Sequence, residues 1–422
     1  MKVLWTVNLI PSELAVALKV NVEVLGGWVE SMAAQLRQVE NIELAIACKT
    51  DSEREFEEEI RGVKYYSLSY SSKTSIEELE SKCASILARF QPDIIQIEGT
   101  EFLHAKAMLQ MGKRQGIPTV VSMQGILNGQ YAYQCGHLPM DDMMVSMSLT
   151  DMFAAWILHL RKTRWYKPRM KPERDIIKNA EYILGRTTWD RAHTYALNPT
   201  AKYYSCNRVL RKPFYATRWN INEIEKHSIY VGNGYYALKG LHFVIRALPQ
   251  LIREYPDVKL YVAGYKPYES NDKRSIIKKG YAAYLKKLIK ELNVEEHVCF
   301  TGPLKAEQVA DKLAHVHAYV LCSVAENSPN TLGEAMLIGT PCVASYVGGV
   351  PDMVDDGAEA LLYRDDDPAL LAWAIKRIFD DDTLACRLSE KAHKRASLTH
   401  DETINANQLI HVYEEILENR GK

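Results

Sequence analysis

Short apolar runs alternate with longer stretches of helical period through the second half of the chain. Such alternation is typical of a parallel sheet whose strands are joined by crossover helices. Leucine, isoleucine and tyrosine recur at helical spacing between the runs, for example over residues 281–292. The runs that predict strands are SIYVG (228–232), VKLYVAG (258–264), HVCFTG (297–302), AYVLCS (318–323), PCVAS (341–345) and ALLY (360–363). This half is therefore predicted to be a doubly wound α/β domain.

The first half repeats the pattern less regularly. Its strand candidates are KVLWTVN (2–8), IELAIAC (42–48), PDIIQIEG (92–99), PTVVSMQG (118–125) and EYILG (181–185). Two α/β units in series predict a cleft at the C-terminal ends of their strands, where ligands of open α/β sheets bind. The polar stretch 211–228 is the predicted linker between a first domain, 1–215, and a second domain, 216–402. The last helical pattern, within 403–422, is expected to pack back on the first domain.

Length, charge and cysteine usage narrow the class of protein. A chain of 422 residues exceeds what one hydrophobic core usually supports, which agrees with two domains. Lys and Arg total 52 and Asp and Glu total 53, so the formal net charge of −1 predicts no nucleic-acid partner. Eight scattered cysteines without a C-x-x-C pair indicate reduced thiols of a cytoplasmic protein. We expect neither a signal peptide nor a transmembrane helix.

Two glutamates flank a predicted helix start in the run ENSPNTLGEAMLIGTP. Ser328 is the predicted N-cap, Pro329 the first helical residue and Gly339 the stop. The free amides of a helix N-terminus form an anion site. Because a phosphate would repel Glu326 and Glu334, we expect these carboxylates to accept hydrogen bonds from hydroxyls. A nucleotide-sugar offers two such sets, on its ribose and its hexose. Either glutamate alone would equally suit an acidic residue that stabilises a helix.

The run from 323 to 375 resembles the E-x7-E region of the retaining glycosyltransferases of family 4. Three further stretches match that family in order. LGGWVESMAAQL (25–36) resembles its glycine-rich loop, VGNGYYALKGLHFVIRALPQL (231–251) its Lys-Gly segment, and FTGPLKAEQVADKLAHVHAYVLCS (300–323) the turn that lines the base pocket. The resemblance covers nearly the whole chain. It implies the α/β GT-B fold, in which two Rossmann-like, doubly wound domains face each other across a cleft.

The resemblance also implies a role for each matching residue. Glu334 would hold the ribose hydroxyls of the donor, and Glu326 the hydroxyls of the transferred sugar. Lys239 would pair with the donor diphosphate, together with amides near Asn330 and Thr331. The implied donor site comprises Gly26, Gly27, Asn233, Lys239, Glu326, Ser328, Asn330, Thr331 and Glu334. Glu326, Lys239 and Gln124 are the residues implied in catalysis. The alternative interpretation of Lys239 is an ordinary surface lysine without a role in donor binding.

Gly26 and Gly27 would let the backbone of the first domain approach the phosphates, and a helix cap is their alternative role. Two residues depart from the family pattern. Asn233 stands where many relatives place an arginine, and Gln124 stands where many place a histidine. Both departures leave the expected site less cationic.

The resemblance implies a hexosyl transfer that retains the anomeric configuration and needs neither a metal nor a cofactor. The donor would be a nucleotide-sugar, with a UDP-sugar as our first choice. The acceptor would be a saccharide or a lipid-linked saccharide of polysaccharide biosynthesis. We expect the leaving phosphate to accept the acceptor's proton, with Glu326 as an orienting group. Two alternatives stay open: a nucleotide-sugar epimerase of the same fold, and a catalytically weak paralogue that binds a nucleotide-sugar or a partner glycosyltransferase.

An apolar helical stripe followed by a basic and aromatic stretch occupies 148–175. The stripe contains Leu149, Met152, Phe153, Trp156, Ile157 and Leu160, and seven Lys or Arg residues follow between 161 and 174. This pattern suits the surface of an anionic bilayer, which would make the protein peripheral on the inner face of the plasma membrane. A core helix followed by a solvated basic loop is the competing interpretation.

Overall fold

The computed structural model describes residues 1–20, 27–50, 55–71, 73–138, 167–266 and 276–419. The chain forms two compact units, each with its own sheet. The first unit takes the described residues up to Gly129, then 167–210 and 399–419. The second unit takes 130–138 and the described residues from Arg211 to Leu398. The first unit is therefore discontinuous along the chain.

The first unit contains an eight-stranded sheet in the order β3-β4-β2-β1-β5-β6-β7-β8. Its strands are β1 (Lys2–Val7), β2 (Glu43–Thr50), β3 (Glu57–Ile60), β4 (Val63–Ser69), β5 (Ile94–Glu98), β6 (Thr119–Ser122), β7 (Tyr182–Gly185) and β8 (Lys202–Ser205). All neighbours are parallel except β3, which pairs antiparallel with β4. The five predicted strands are present, whereas β3, β4 and β8 were not predicted.

Helices cover both faces of this sheet. They are Ser12–Leu18, Gly27–Leu36, Ile76–Phe90, Leu103–Arg114, Leu127–Gln130, residues 167–179, Thr188–Leu197 and Glu402–Glu418. The C-terminal helix Glu402–Glu418 packs on this unit, as predicted, and the buried hydroxyl of its Tyr413 bridges two strands. That hydroxyl accepts a hydrogen bond from Trp5 Nε1 on β1 at 2.9 Å and donates one to Gln96 Oε1 on β5 at 2.5 Å.

The second unit contains a six-stranded, wholly parallel sheet in the order β11-β10-β9-β12-β13-β14. Its strands are β9 (Glu225–Val231), β10 (Lys259–Val262), β11 (Val298–Phe300), β12 (Val316–Leu321), β13 (Cys342–Ser345) and β14 (Ala360–Tyr363), which confirms the six predicted strands. The helices are Pro213–Ala216, Leu241–Glu254, Ile276–Glu291, Ala306–His315, Asn330–Ile338, Val350–Met353, Pro368–Asp380 and Asp382–Thr399. Three 3-10 turns, Tyr131–Tyr133, Ala237–Lys239 and Glu295–His297, complete the described elements.

The polar stretch 211–228, predicted to be a linker, is instead folded into the second unit. The side chain of Trp219 is buried there. Its Nε1 donates a hydrogen bond to the carbonyl of Val316 at 2.8 Å, and its backbone N–H donates to the carbonyl of Ile338 at 2.9 Å. The buried side chain of Trp219 thus fixes this segment in the second unit, although the composition of the segment resembles that of a loop.

The predicted membrane-surface segment lies mostly outside the described residues. Its described part, from 167 onward, begins the helical stretch 167–179. Among the described residues, no helix combines the length and the apolar character needed to cross a bilayer.

Candidate active site

The residues of the second unit that are implied in donor binding lie at the C-terminal edge of its sheet. The loop after β12 carries Glu326, and the helix Asn330–Ile338 follows it. This helix ends at Gly339, whose φ of 86° is the left-handed conformation that ends many helices. The helix begins one residue later than predicted. Pro329 is its N-cap with an extended ψ of 113°, and no side chain caps it.

Ser328 is therefore not the N-cap that the sequence predicted. Its hydroxyl lies 3.9 Å from the sulfur of Met353 instead. The first amides of the helix consequently lack a side-chain acceptor at the cap. Asn330 is half-buried and Thr331 is exposed at this N-terminus, so solvent reaches the end that carries the positive dipole.

Lys239 and Glu326 form an ion pair at this edge. The distance from Lys239 Nζ to Glu326 Oε1 is 2.5 Å, and the hydroxyl of Ser323 donates to the same oxygen at 2.8 Å. Burial opposes the charged form of Lys239, but the charge of Glu326 and its hydrogen bond outweigh burial, so the pKa of Lys239 lies above its ordinary value. The lysine is therefore held as an ammonium group.

The glycine after the lysine explains how Lys239 reaches the site. Gly240 has a φ of 69°, and a Cβ there would stand 1.7 Å from the carbonyl oxygen of Cys322. The Cys322 thiol donates to the carbonyl of Lys239 at 3.1 Å, and Val324 N–H donates to that of Leu238 at 2.9 Å. The turn Ala237–Lys239 is thus pressed onto the end of β12, which only a residue without a side chain at position 240 allows.

Gly348 and Gly349, which were not predicted to belong to the site, fix the backbone of Glu326. A Cβ on Gly348 would stand 1.8 Å from the Glu326 carbonyl oxygen, and Gly348 has a φ of 51°. The N–H of Gly349 donates to that oxygen at 3.1 Å. The dipeptide GG in YVGGVP was the available signal.

Glu334 forms a second ion pair, with Arg211. Arg211 Nε donates to Glu334 Oε1 at 2.8 Å and its Nη2 donates to Oε2 at 2.9 Å, which is a bidentate arrangement. Glu334 is only 4% exposed. Burial raises the pKa of Glu334 to about 7, although Arg211 opposes the rise. Arg211 is 123 residues away in sequence, and no spacing rule could have found it.

The other residues of the implied site fall into two groups. Asn233 follows β9, and its Oδ1 accepts a hydrogen bond from the N–H of Tyr235 at 3.1 Å. Gly27 and Gln124 belong to the first unit, where Gly27 starts a helix and Gln124 follows β6. Gln124 Nε2 donates to the buried carboxylate of Glu98 at 3.4 Å. Gly26 lies outside the described residues.

The described residues contain no cluster of side chains arranged to bind a metal ion. Within the described ranges, no three His, Cys, Asp or Glu side chains are grouped to hold a metal ion. The positive charges at the edge of the second sheet come from Lys239, Arg211 and the start of the helix Asn330–Ile338.

Comparison with known proteins connects this arrangement to a family. Residues 212–395 match the family model described as glycosyl transferases group 1. The chain is 27% identical over 187 residues to the putative glycosyltransferase YtcC of Bacillus subtilis, which is 44% of each chain. It is 27% identical over 198 residues to N-acetyl-alpha-D-glucosaminyl L-malate synthase of Bacillus anthracis, which is 47% of this chain and 46% of that protein. The matches thus span about half the length of these curated relatives.

Solved structures match over nearly the full chain. Sucrose-phosphate synthase from Thermosynechococcus elongatus superposes with a TM-score of 0.72 at 16% identity, covering 99% of this chain and 100% of that one. Anabaena HepE in complex with UDP superposes with a TM-score of 0.69 at 14% identity, covering 98% and 100%. At these identities the likeness shows the fold. We conclude that the chain has the two-domain GT-B fold and that its residues 212–395 match the model of the group 1 glycosyl transferases.

Proposed function

We propose that the protein is a retaining glycosyltransferase that moves a hexose-type sugar from a nucleotide-sugar to a saccharide or lipid-linked saccharide, as in polysaccharide biosynthesis. The observation that carries the proposal is the pairing of both E-x7-E carboxylates with cations at one sheet edge. Lys239 pairs with Glu326, and Arg211 pairs with Glu334. The family match over 212–395 supports it. A UDP-sugar is the first donor to test, since HepE has been solved with UDP-glucose.

Donor binding would separate the pair of Lys239 and Glu326 and leave the pair of Arg211 and Glu334 in place. A diphosphate offers Lys239 more negative charge than a single carboxylate does, so the ammonium group can turn to it. Glu326 would then accept hydrogen bonds from hydroxyls of the sugar. Glu334 has two oxygens with four lone-pair positions, so it can accept ribose hydroxyls while it stays oriented by Arg211. Glu326 would thus pass from an ion pair to a sugar contact, whereas Glu334 would keep its ion pair and add a ribose contact.

The chemical step would break the bond between the anomeric carbon and the diphosphate oxygen. The bond to the acceptor oxygen forms on the same face of the sugar, and the leaving phosphate takes the acceptor's proton. Lys239 and the amides at the start of the helix Asn330–Ile338 stabilise the charge that grows on the phosphate. Removal of one preorganised donor of this kind typically slows a reaction by about 10²–10³-fold. We propose that this positive charge makes a metal unnecessary.

The test begins with calorimetric titration of the full chain with UDP, GDP and ADP. The nucleotide that binds identifies the sugar donors, whose transfer to saccharide acceptors is then followed with and without EDTA. Lys239→Gln should lose transfer, whereas Lys259→Gln, on β10 of the same unit, should keep it. No nucleotide binding would refute the proposal, and a requirement for metal would refute metal independence.

A donor-binding protein without turnover is the second candidate. It is favoured by Asn233, whose side chain caps a turn at a position where the resemblance to the family implies a cation. Nucleotide binding without transfer to any acceptor would support this candidate. A change in the donor's sugar without an acceptor would instead indicate an epimerase.

A further inference from the structure

The first unit contains a pocket of its own at the C-terminal edge of its sheet. Residues at or just beyond the ends of β5, β6, β7 and β8 line it, together with the helix Gly27–Leu36. The pocket holds about 330 Å³ of empty space, counting its mouth. Most of that space is solvent at the mouth, and the interior has room for about one or two water molecules, so at most one carboxylate or phosphate group can enter it.

Two arginines line this pocket. Arg208 is 9% exposed, and its guanidinium carbon lies 3.3 Å from the ring centre of Trp28, a cation–π contact. Its Nη2 donates to Glu98 Oε2 at 3.5 Å, a long hydrogen bond. By contrast, Arg211 in the second unit donates two shorter hydrogen bonds, from Nε and Nη2 to the two carboxylate oxygens of Glu334, at 2.8 and 2.9 Å. Arg208 is thus buried without the bidentate partner that a guanidinium usually has.

Arg186 adds a second positive charge. Its Nη2 donates to the carbonyl of Met123 at 2.7 Å, whereas its Nε is buried and has no acceptor among the described residues. Burial lowers the pKa of Arg208 well below its ordinary value, and the neighbouring charge of Arg186 lowers it further. Both effects disfavour two guanidinium charges here unless an anion accompanies them.

Glu98 is the acidic residue that lines the pocket beside the two arginines. Glu98 is shared, because Gln96 Nε2 and Gln124 Nε2 donate to its two oxygens at 2.5 and 3.4 Å. Burial raises the pKa of Glu101 to about 7, so it is partly protonated at neutral pH. Burial also raises the pKa of the Cys206 thiol to about 12, which keeps it neutral. The charged side chains that line the pocket are thus two arginines and one glutamate, while Glu101 and the buried Asp190 lie close to them.

We propose that this pocket binds an oxyanion group, a carboxylate or a phosphate, of the sugar acceptor. Guanidinium groups bind both anions through paired N–H donors, and Arg186 and Arg208 supply two such groups. The pocket lies where ligands of open α/β sheets bind. Glu98 also connects it to Gln124, the residue of this unit implied in catalysis. The proposal rests on the proposed transferase function and adds the chemical class of the acceptor.

Binding of the anion alone is the first test. The full chain is titrated with inorganic phosphate and, separately, with malonate at constant ionic strength, and tryptophan fluorescence is followed because Trp5 and Trp28 line the pocket. We expect saturable binding of one anion, weakened at least tenfold in Arg208→Gln and Arg186→Gln. Arg89→Gln, an exposed arginine of the same unit, is the control and should bind like the native chain. The anion that binds more tightly distinguishes phosphate from carboxylate.

Acceptor kinetics form the second test. Matched acceptors, glucose against glucuronic acid and glucose 6-phosphate, are compared in the transfer assay. Arg208→Gln should raise KM at least tenfold for the charged acceptor and leave KM for neutral glucose unchanged. Should Arg208→Gln fail to fold, Arg186→Gln and Arg208→Lys give the same comparison, the latter with charge kept and the paired donors lost.

The results separate the two proposals. Absence of anion binding by the native chain, or binding that both variants leave intact, overturns the pocket assignment. Equal effects on charged and neutral acceptors overturn it as well. Nucleotide binding is measured independently in every variant, so a failure of the transferase proposal shows as the absence of UDP, GDP and ADP binding by the native chain.

Discussion

Replacement of Arg211 by glutamine should destabilise the protein in a pH-dependent way. The change leaves Glu334, which is only 4% exposed, without its bidentate partner. The pKa of Glu334 is about 7 in the folded protein against an ordinary value of 4.5, because burial disfavours its charge more than Arg211 favours it. Without Arg211 this pKa rises further.

The sign follows from proton binding. Between pH 4.5 and 7 the folded chain holds a proton on Glu334 that the unfolded chain has released, so the free energy of unfolding falls as the pH rises through this window. At about 1.4 kcal/mol for each pKa unit, the free energy of unfolding of the native protein falls by about 3 kcal/mol between pH 4.5 and pH 7. In Arg211→Gln the loss continues to higher pH.

The magnitude follows from the burial of the pair. Breaking a buried ion pair costs about 3–5 kcal/mol, and proton uptake by Glu334 relieves part of that cost. We expect Arg211→Gln to lose about 2–3 kcal/mol relative to the native chain at pH 8.5. At pH 5.5, where Glu334 is protonated in both proteins, the expected loss is the value of a hydrogen bond, about 1 kcal/mol.

Scanning calorimetry of the full chain at both pH values measures the difference. At about 2–4 °C per kcal/mol for a domain of this size, the variant should melt about 4–12 °C lower at pH 8.5 and about 2–4 °C lower at pH 5.5. Arg253→Gln, an exposed arginine of the same unit, should melt like the native protein at both. An equal drop at the two pH values would show that Glu334 does not titrate as the structure implies.

Three further changes have defined outcomes. Lys239→Ala should slow sugar transfer by about 10²–10³-fold through loss of charge stabilisation, with the fold kept as judged by circular dichroism; unaltered turnover would exclude its role. Gly240→Ala should lower the unfolding free energy by about 1–3 kcal/mol in urea titration, since its Cβ would strike the Cys322 carbonyl and its φ is positive; a neutral effect would show that the turn relaxes. Tyr413→Phe should cost about 1–3 kcal/mol in the same assay because it leaves Trp5 and Gln96 without their hydrogen-bond partner, and an unchanged midpoint would contradict this.

Periodicity located the buried parallel strands of both units, because such strands are apolar along their whole length. It missed β3 because that edge strand is charged, as its sequence EEEI shows. It missed β4 (VKYYSLS) and β8 (KYYS) because lysine, serine and tyrosine interrupt the apolar run that the other strands have. The helix after Glu326 was predicted, yet its start was placed one residue early because a serine before a proline resembles an N-cap. The partner of Glu334 could not be predicted, since an ion pair between residues 211 and 334 depends on the tertiary fold alone.

The discontinuity of the first unit affects the order in which the chain can fold during synthesis. Trp5 emerges early from the ribosome, but Tyr413, to which it donates a hydrogen bond, comes 408 residues later. Translation at about 5–20 residues per second makes this delay roughly 20–80 s. Throughout that time the face of the first sheet that the helix Glu402–Glu418 covers stays without its cover. The second unit, from Arg211 to Leu398, is complete before the first can close. The N-terminal unit is therefore the last to reach its final stability, and its apolar face is the part of the nascent chain that a chaperone would have to protect.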